Sequence, residues 1–178
     1  MKEIPLGTVV GTRLSARPSA LGGVALVFVL AAGFAWLALR QPFGTAVVGA
    51  LMVVVVHWLS DLVHQLGHIT AARRTGYPAI GIQFWGVFSA TVYPADEPPL
   101  PGTVHVRRAL GGVPASLALA MVAGILALAL RSVAGPFEWV LIFAFLDNLL
   151  VLGLGALLPL GFTDGSTLLR WWPKRNER

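Results

Sequence analysis

A long apolar run near the amino terminus constrains the fold more than any other feature of the sequence. Residues 20–39 carry no charged side chain, and about 20 apolar residues in a helix are enough to cross the hydrocarbon core of a bilayer. The whole chain of 178 residues is 56% hydrophobic and 12% charged, whereas an average soluble domain is about 25% charged. A soluble globule of this size would lack the polar residues to cover its surface. The sequence therefore predicts an α-helical polytopic membrane protein.

Four such runs predict about four transmembrane helices within one membrane-embedded domain, residues 1–178. The predicted spans are residues 20–39, 43–72, 109–130 and 137–158. The five segments outside them contain 3, 1, 4, 1 and 4 Lys or Arg residues in chain order. Positive residues concentrate on the cytoplasmic side of membrane proteins. We therefore expect a multi-pass protein of a prokaryotic plasma membrane with both termini in the cytoplasm.

The basic residues do not indicate a nucleic-acid partner. The net charge is +5, but the Lys and Arg residues are dispersed along the chain and form no single patch. The chain contains no Cys, which excludes disulfides, thiolate metal sites and Cys nucleophiles. The lipid bilayer is the partner that the composition predicts.

The segment between the second and third spans is not a plain linker. Residues 77–93 read YPAIGIQFWGVFSATVY and are rich in β-branched and aromatic side chains, which predicts a β-hairpin or small sheet at the membrane surface. Residues 94–102 contain four prolines and predict an exposed loop. His105 is expected to be solvated.

Ionisable residues inside a span are costly and indicate a functional site. His57, Asp61, His64 and His68 follow one another at steps of 4, 3 and 4 in the second span, which places them on one helix face. His64 and His68 have the spacing of a two-histidine zinc helix. A polar seam that hydrogen-bonds to neighbouring spans is the alternative interpretation.

Asp164 follows the fourth span, after the helix-breaking Pro159. Both the second and the fourth span run from outside to inside in the predicted topology, so Asp164 and the two histidines are expected at matched depth. Two histidines and one carboxylate leave one position open, which is the pattern of catalytic rather than structural zinc. Alone, Asp164 fits an ordinary Asp-Gly turn.

Three segments resemble the site-2 protease family of intramembrane zinc metalloproteases. HQLGH at residues 64–68 resembles the family's HExxH motif, and PLGFTDG at residues 159–165 resembles the segment that donates its third ligand. ALGGVPASLALA at residues 109–120 loosely resembles its small-residue helix. The resemblance extends over about residues 45–170 and implies a protease that hydrolyses peptide bonds of transmembrane substrates.

The resemblance also implies roles for individual residues. His64, His68 and Asp164 would hold one zinc ion per chain, and the β-rich segment would receive an unwound substrate as an added strand. Two further sets of side chains have expected roles. The candidate substrate contacts are Ile82, Phe84 and Asn148, and helix packing is an equal alternative for Asn148. Asp61 is expected to hydrogen-bond to a ligand imidazole or to pack between helices.

One departure from the family concerns catalysis. Gln65 occupies the position of the motif glutamate, which serves as the general base. An amide cannot accept that proton, and general-base catalysis contributes about 10²–10⁴ in rate. This chain is therefore expected to be nearly inactive as a protease while still binding zinc. An engineered change and a natural pseudoprotease both stay open, and retention of every ligand favours the engineered change.

Two other functions remain as alternatives. A non-catalytic pseudoprotease would bind transmembrane helices without cutting them. A small metal or proton transporter would use the polar residues of the second span together with Asp147, whose role is otherwise unassigned. In the protease interpretation, His57 is expected to pack between helices or to line a polar substrate channel. A homo-oligomer or a regulatory membrane partner also stays open, because substrate selection must come from the 73–108 loop, the tail or a partner.

Overall fold

The computed structural model describes residues 3–133 and 135–176, and these are mostly helical. Four helices in this part of the chain are long and apolar enough to cross a membrane, which confirms the predicted fold class. The described residues form six helices: α1 (Ser19–Ala38), α2 (Phe43–Arg74), α3 (Gly102–Ala109), α4 (Gly112–Ala129), α5 (Phe137–Leu157) and α6 (Asp164–Trp171).

A mixed four-stranded sheet accompanies the helices, so the predicted hairpin is only half of the β structure. The strands are β1 (Ile4–Val9), β2 (Thr12–Ala16), β3 (Gly81–Trp85) and β4 (Phe88–Val92), in the spatial order β1-β2-β3-β4. β2 pairs in parallel with β3, and the other two pairs are antiparallel. The two amino-terminal strands were not predicted from the sequence.

The sheet is attached to the membrane helices through a small apolar core. Ile82 and Phe84 of β3 pack with Ala20 of α1 and Ile69 of α2, and all four are buried. The ring of Trp58 meets the ring of Phe84 edge to face at 5.5 Å between centroids. This packing fixes the position of the β3–β4 hairpin along α2, beside the histidines.

A short helix, α3, precedes the third predicted span and meets α4 at Gly111. α3 ends at Ala109 and α4 begins at Gly112. A Cβ atom built on Gly67 of α2 would lie 2.4 Å from the Gly111 carbonyl oxygen, so only a glycine lets the two backbones approach this closely. The break brings the start of α4 directly against the histidines of α2.

α2 has one polar buried face, as the spacing of its polar residues predicted. His57, Asp61, His64 and His68 are all buried, together with Gln65. Large apolar side chains face outward from the same helix, among them Leu51 and Val55. The helix thus presents apolar residues where lipid is expected and polar residues to its neighbours.

α5 changes its helical pitch where its polar residues occur. Residues Asp147–Leu154 form a π-helical segment, and Asp147 and Asn148 are both buried at its start. Such widened turns are often found at functional sites, because they redirect side chains that a regular helix would place elsewhere.

Candidate metal centre

Three side chains from two helices converge at one point. The Nε2 atoms of His64 and His68 are 3.0 Å apart. Asp164 Oδ2, at the start of α6, lies 3.4 Å from His64 Nε2 and 3.3 Å from His68 Nε2. Bonds of about 2.0–2.1 Å arranged tetrahedrally around zinc would separate their ligand atoms by about 3.3 Å. The three atoms therefore have the spacing of ligands around a single ion.

Two further observations show that the residues present fit a metal ion. Asp164 Oδ2 is buried and has no hydrogen-bond partner in the described ranges 3–133 and 135–176. A Cβ atom built on Gly112 would lie 2.5 Å from both His64 Nε2 and His68 Nε2. A bound cation needs an oxygen that accepts no hydrogen bond and a free space between its ligands. Asp164 Oδ2 supplies the first, and the space beside Gly112 supplies the second.

The outer nitrogens of both imidazoles have partners that orient the rings. His64 Nδ1 lies 2.8 Å from the hydroxyl of Ser116, which is fully buried in α4. His68 Nδ1 donates a hydrogen bond of 2.7 Å to the main-chain carbonyl of Arg108. The carbonyl fixes the tautomer of His68 and leaves its Nε2 lone pair free for a metal, and the Ser116 contact holds the His64 ring in place.

Asp61 was expected either to bond to a ligand imidazole or to pack between helices, and among the described residues it makes no hydrogen bond to either imidazole. Ser116 occupies the position next to His64 Nδ1, and Asp61 Oδ2 is buried without a hydrogen-bond partner in the described part of the chain. Ser116 lies on α4, packed directly against α2, so it reaches the outer ring nitrogen. Asp61 instead lines the cavity beside the proposed ligands.

Arg108 connects the histidine site to the proline-rich loop. Its guanidinium contacts both carboxylate oxygens of Glu97, at 2.5 and 3.0 Å, and donates to the Tyr77 carbonyl at 2.6 Å. It also lies 4.0 Å from the ring centroid of Tyr93. No sequence pattern predicted this network, because an arginine next to a predicted loop carries no local signal that would identify its partners.

Two groups of this network, both outside the spans, have shifted pKa values. Hydrogen bonding from Arg108 lowers the pKa of the Glu97 carboxyl. Burial raises the pKa of the Tyr93 phenol to about 12, although the positive charge of Arg108 opposes this. Glu97 is therefore a stable anion at neutral pH, and Tyr93 keeps its proton.

Gln65 faces the sheet. Its Nε2 donates to the main-chain carbonyl of Ser89 at 3.0 Å, and Thr91 Oγ1 donates to its Oε1 at 2.7 Å. Both partners belong to β4, the outer strand of the hairpin. The side chain at the position of the motif glutamate therefore lies between the histidines and the edge of the sheet.

The three candidate substrate contacts lie elsewhere. Ile82 and Phe84 belong to β3, an inner strand, and point into the apolar core, whereas the cavity wall is formed by β4. Alternation alone could not tell the inner strand from the outer one. Asn148 Nδ2 donates to Ser60 Oγ at 2.8 Å and to the Ala144 carbonyl at 2.9 Å, which is the packing role left open for it.

His57 and Asp147 form a buried pair away from the proposed ligands. His57 Nδ1 lies 3.1 Å from Asp147 Oδ2, and His57 Nε2 donates to the Val87 carbonyl at 2.7 Å. The pair thus ties α2 to α5 and to the turn of the β3–β4 hairpin. His105, expected to be solvated, is half-buried and stacks on Trp171 of α6 with ring centroids 4.1 Å apart.

A cavity of about 630 Å³ opens beside the three proposed ligands. One wall is β4, with Ser89, Ala90 and Thr91, and the opposite wall is the end of α5 and the loop that follows it. Phe162 of that loop approaches Phe88 of the hairpin, with ring centroids 6.2 Å apart. The cavity therefore joins the histidine site to the open edge of the sheet, between aromatic walls.

Comparison with known proteins supports the same fold. The solved structure of the site-2 protease from Methanocaldococcus jannaschii superposes with a TM-score of 0.67, covering 99% of this chain and 74% of that one at 16% identity. The chain has the site-2 protease fold. The likeness in fold extends over the β-rich segment as well as the helices.

Sequence relatives carry a metalloprotease name. Proteins of two Mycobacterium tuberculosis strains, both named "Putative zinc metalloprotease Rip3", are 31% identical over 179 aligned residues. The match covers 94% of this chain but 42% of each relative, so the chain spans less than half the length of these proteins. No protein-family model matches the chain.

Proposed function

We propose that this chain holds one zinc ion and forms the site of an intramembrane metallopeptidase of the site-2 type, in which Gln65 suppresses hydrolysis. The observation that carries the proposal is the mutual spacing of His64 Nε2, His68 Nε2 and Asp164 Oδ2, at 3.0 to 3.4 Å. The metalloprotease name of the sequence relatives supports the choice of zinc.

Groups of the protein hold the two imidazoles in position without a substrate. Ser116 and the Arg108 carbonyl hold the two imidazoles in position, and the fourth side of the site opens to the cavity. A bound zinc ion supplies Lewis-acid polarisation of a peptide carbonyl and acidifies water at the open position. Gly112 keeps the space between the ligands free.

The substrate we propose is a peptide segment of a transmembrane protein, bound in extended form. A helical peptide bond in lipid is already hydrogen-bonded, so it must unwind before it can be attacked. The outer edge of β4 borders the cavity, and strand addition there would satisfy the unwound backbone. Aromatic side chains on both cavity walls would cover the apolar residues of such a segment.

Gln65 determines what the chain does with a bound peptide. A neutral carboxamide cannot take a proton from water, so hydrolysis should proceed about 10²–10⁴ times slower than with a glutamate. The second candidate function is therefore a pseudoprotease that binds peptides without cutting them. The two hydrogen bonds of Gln65 to β4 favour it, because they give the amide a structural use.

The setting we propose is a prokaryotic plasma membrane with both chain termini in the cytoplasm. Four apolar helices and the distribution of Lys and Arg residues support this topology. The partners would be the bilayer and a transmembrane substrate, with a second copy or a regulatory membrane protein as further candidates for substrate selection.

Metal analysis of the purified chain tests the proposal directly. We expect close to one zinc per chain, and loss of that zinc in His64→Ala and Asp164→Ala variants. His105→Ala is the matched control, since that imidazole stacks on Trp171 and is not one of the three converging side chains. Full zinc retention in the Asp164 variant would remove the third ligand from the proposal.

A further inference from the structure

β4 exposes part of its backbone at the open edge of the sheet. β3 and β4 are joined by a two-residue turn and pair Trp85 with Phe88, and such tight hairpins close with a hydrogen-bonded pair. The Val92 carbonyl also points toward β3, since it accepts from the Ile80 amide at 2.8 Å. Backbone groups alternate along an antiparallel strand. Ser89 and Thr91 therefore direct their backbone groups away from β3, toward the cavity.

Gln65 occupies this outward side. Its Nε2 donates to the Ser89 carbonyl at 3.0 Å, and its Oε1 accepts from Thr91 Oγ1 at 2.7 Å. One side chain of α2 thereby bridges two outward positions of β4. The Ser89 carbonyl is an acceptor that an added strand would need, so the bridge and an incoming peptide compete for the same group.

Only an amide can make both of these bonds. A carboxamide has a donor end and an acceptor end, whereas an ionised carboxylate only accepts. A glutamate in this position would keep the bond from Thr91 but would direct an oxygen at the Ser89 carbonyl oxygen. The replacement of the motif glutamate thus adds a contact as well as removing a base.

We propose that Gln65 is a clamp that closes the outer edge of β4 until a peptide strand displaces it. This inference rests on the proposed function, in which β4 receives the substrate. Gln65 acts here as a positioning residue: it holds the strand edge and sets how readily a peptide pairs with it.

Two variants of the full chain in lipid nanodiscs test the clamp. Gln65→Met keeps the length of the side chain and removes both bonds, and Gln65→Glu removes the bond to Ser89. The amides of residues 88, 90 and 92 face β3 and exchange when the strand loosens. Without peptide, their hydrogen exchange should accelerate on the order of ten-fold in the methionine variant and measurably in the glutamate variant, because the side-chain bonds that hold β4 to α2 are lost. Leu66→Met, on the neighbouring position of α2, is the control and should leave the exchange unchanged.

A second readout measures peptide capture. A photo-crosslinking residue at Ala90, which is exposed beside the clamp, reports binding of a membrane-inserted peptide that contains a helix-breaking Gly-Pro segment. We expect several-fold more crosslinking in Gln65→Met, which removes both bonds without supplying a base, than in the parent chain. Capture that rises only in the glutamate variant would overturn the clamp, since the methionine change removes both bonds.

The two readouts separate the clamp from the proposed function. Unchanged exchange in Gln65→Met overturns the clamp even if peptides bind. Accelerated exchange with no capture by any chain supports the clamp and counts against strand addition as the mode of substrate binding.

Discussion

His64 Nδ1 lies 2.8 Å from the hydroxyl oxygen of Ser116, a serine that is fully buried in α4. The contact orients the ring so that its Nε2 faces Asp164 Oδ2. His68 has a corresponding bond to a main-chain carbonyl, which no side-chain substitution can remove. Substitution of Ser116 can therefore test whether this contact orients the His64 ring.

The variant Ser116→Ala should bind zinc about 10–100 times more weakly, because the His64 ring loses the contact that fixes it. Competition with a chromophoric chelator measures the affinity. Ser15→Ala in β2, remote from the ligands, should leave the affinity unchanged. Equal zinc affinity in the parent chain and a folded Ser116→Ala variant would contradict the orienting role.

Gly112→Ala should abolish stoichiometric zinc binding. The added Cβ would lie 2.5 Å from the Nε2 atoms of both His64 and His68, within the space that the ion requires. Elemental analysis of purified protein measures the loss. The control is Gly22→Ala in α1, where a Cβ meets no atom of the described residues within 4 Å. One zinc per chain in Gly112→Ala would place the ion elsewhere.

The Glu97–Arg108 pair should make stability depend on acid pH. Its hydrogen bonds lower the folded-state pKa of Glu97 from the ordinary value of 4.5. The contribution of ionised Glu97 to the stability of the folded chain is therefore complete above pH 4.5. It is lost as the pH falls through the lower pKa that Glu97 has in the folded state. We expect Glu97→Gln to be less stable than the parent chain at pH 7, with the difference shrinking below pH 4.5.

Thermal unfolding of both chains across pH 7 to 3 checks this expectation. Other titrating groups are common to the two chains, so the difference between their melting temperatures isolates Glu97. A difference that stays constant over the whole range would show that the ionised carboxylate contributes nothing.

Gln65→Glu should restore proteolysis of a membrane-embedded reporter by about 10²–10⁴ over the parent chain. The glutamate can take a proton from water beside the ligands, and the amide cannot. Chelation should abolish the restored activity, and Gln65→Met should stay inactive because it supplies no base. A folded, zinc-loaded Gln65→Glu variant that cuts nothing would favour the pseudoprotease.

The helical part of the fold could be predicted from local sequence. Uninterrupted apolar runs specify spans, and the spacing of His57, Asp61, His64 and His68 predicted the buried face that α2 has. The proposed ligand Asp164 was inferred from matched depth on two spans, and the structure brings it beside both histidines.

The sheet could be predicted only in part. β1 and β2 are short strands of six and five residues, and β2 gains its pairing from β3, which lies beyond two membrane helices. Local patterns cannot reveal such a partner. The same limit affected Ile82 and Phe84, because a strand's side-chain alternation does not say whether it lies at the edge of a sheet.

Parallel pairing of β2 with β3 also has a consequence for biogenesis. The two strands are separated in sequence by α1 and α2. Two membrane crossings return the chain to the side on which it started, so both strands then lie on the same side. During synthesis the amino-terminal strands emerge first and must wait for the second hairpin. Completion of the four-stranded sheet therefore depends on joint insertion of this helical pair, and a chain with only one of the two helices inserted would leave β2 and β3 on opposite sides of the membrane.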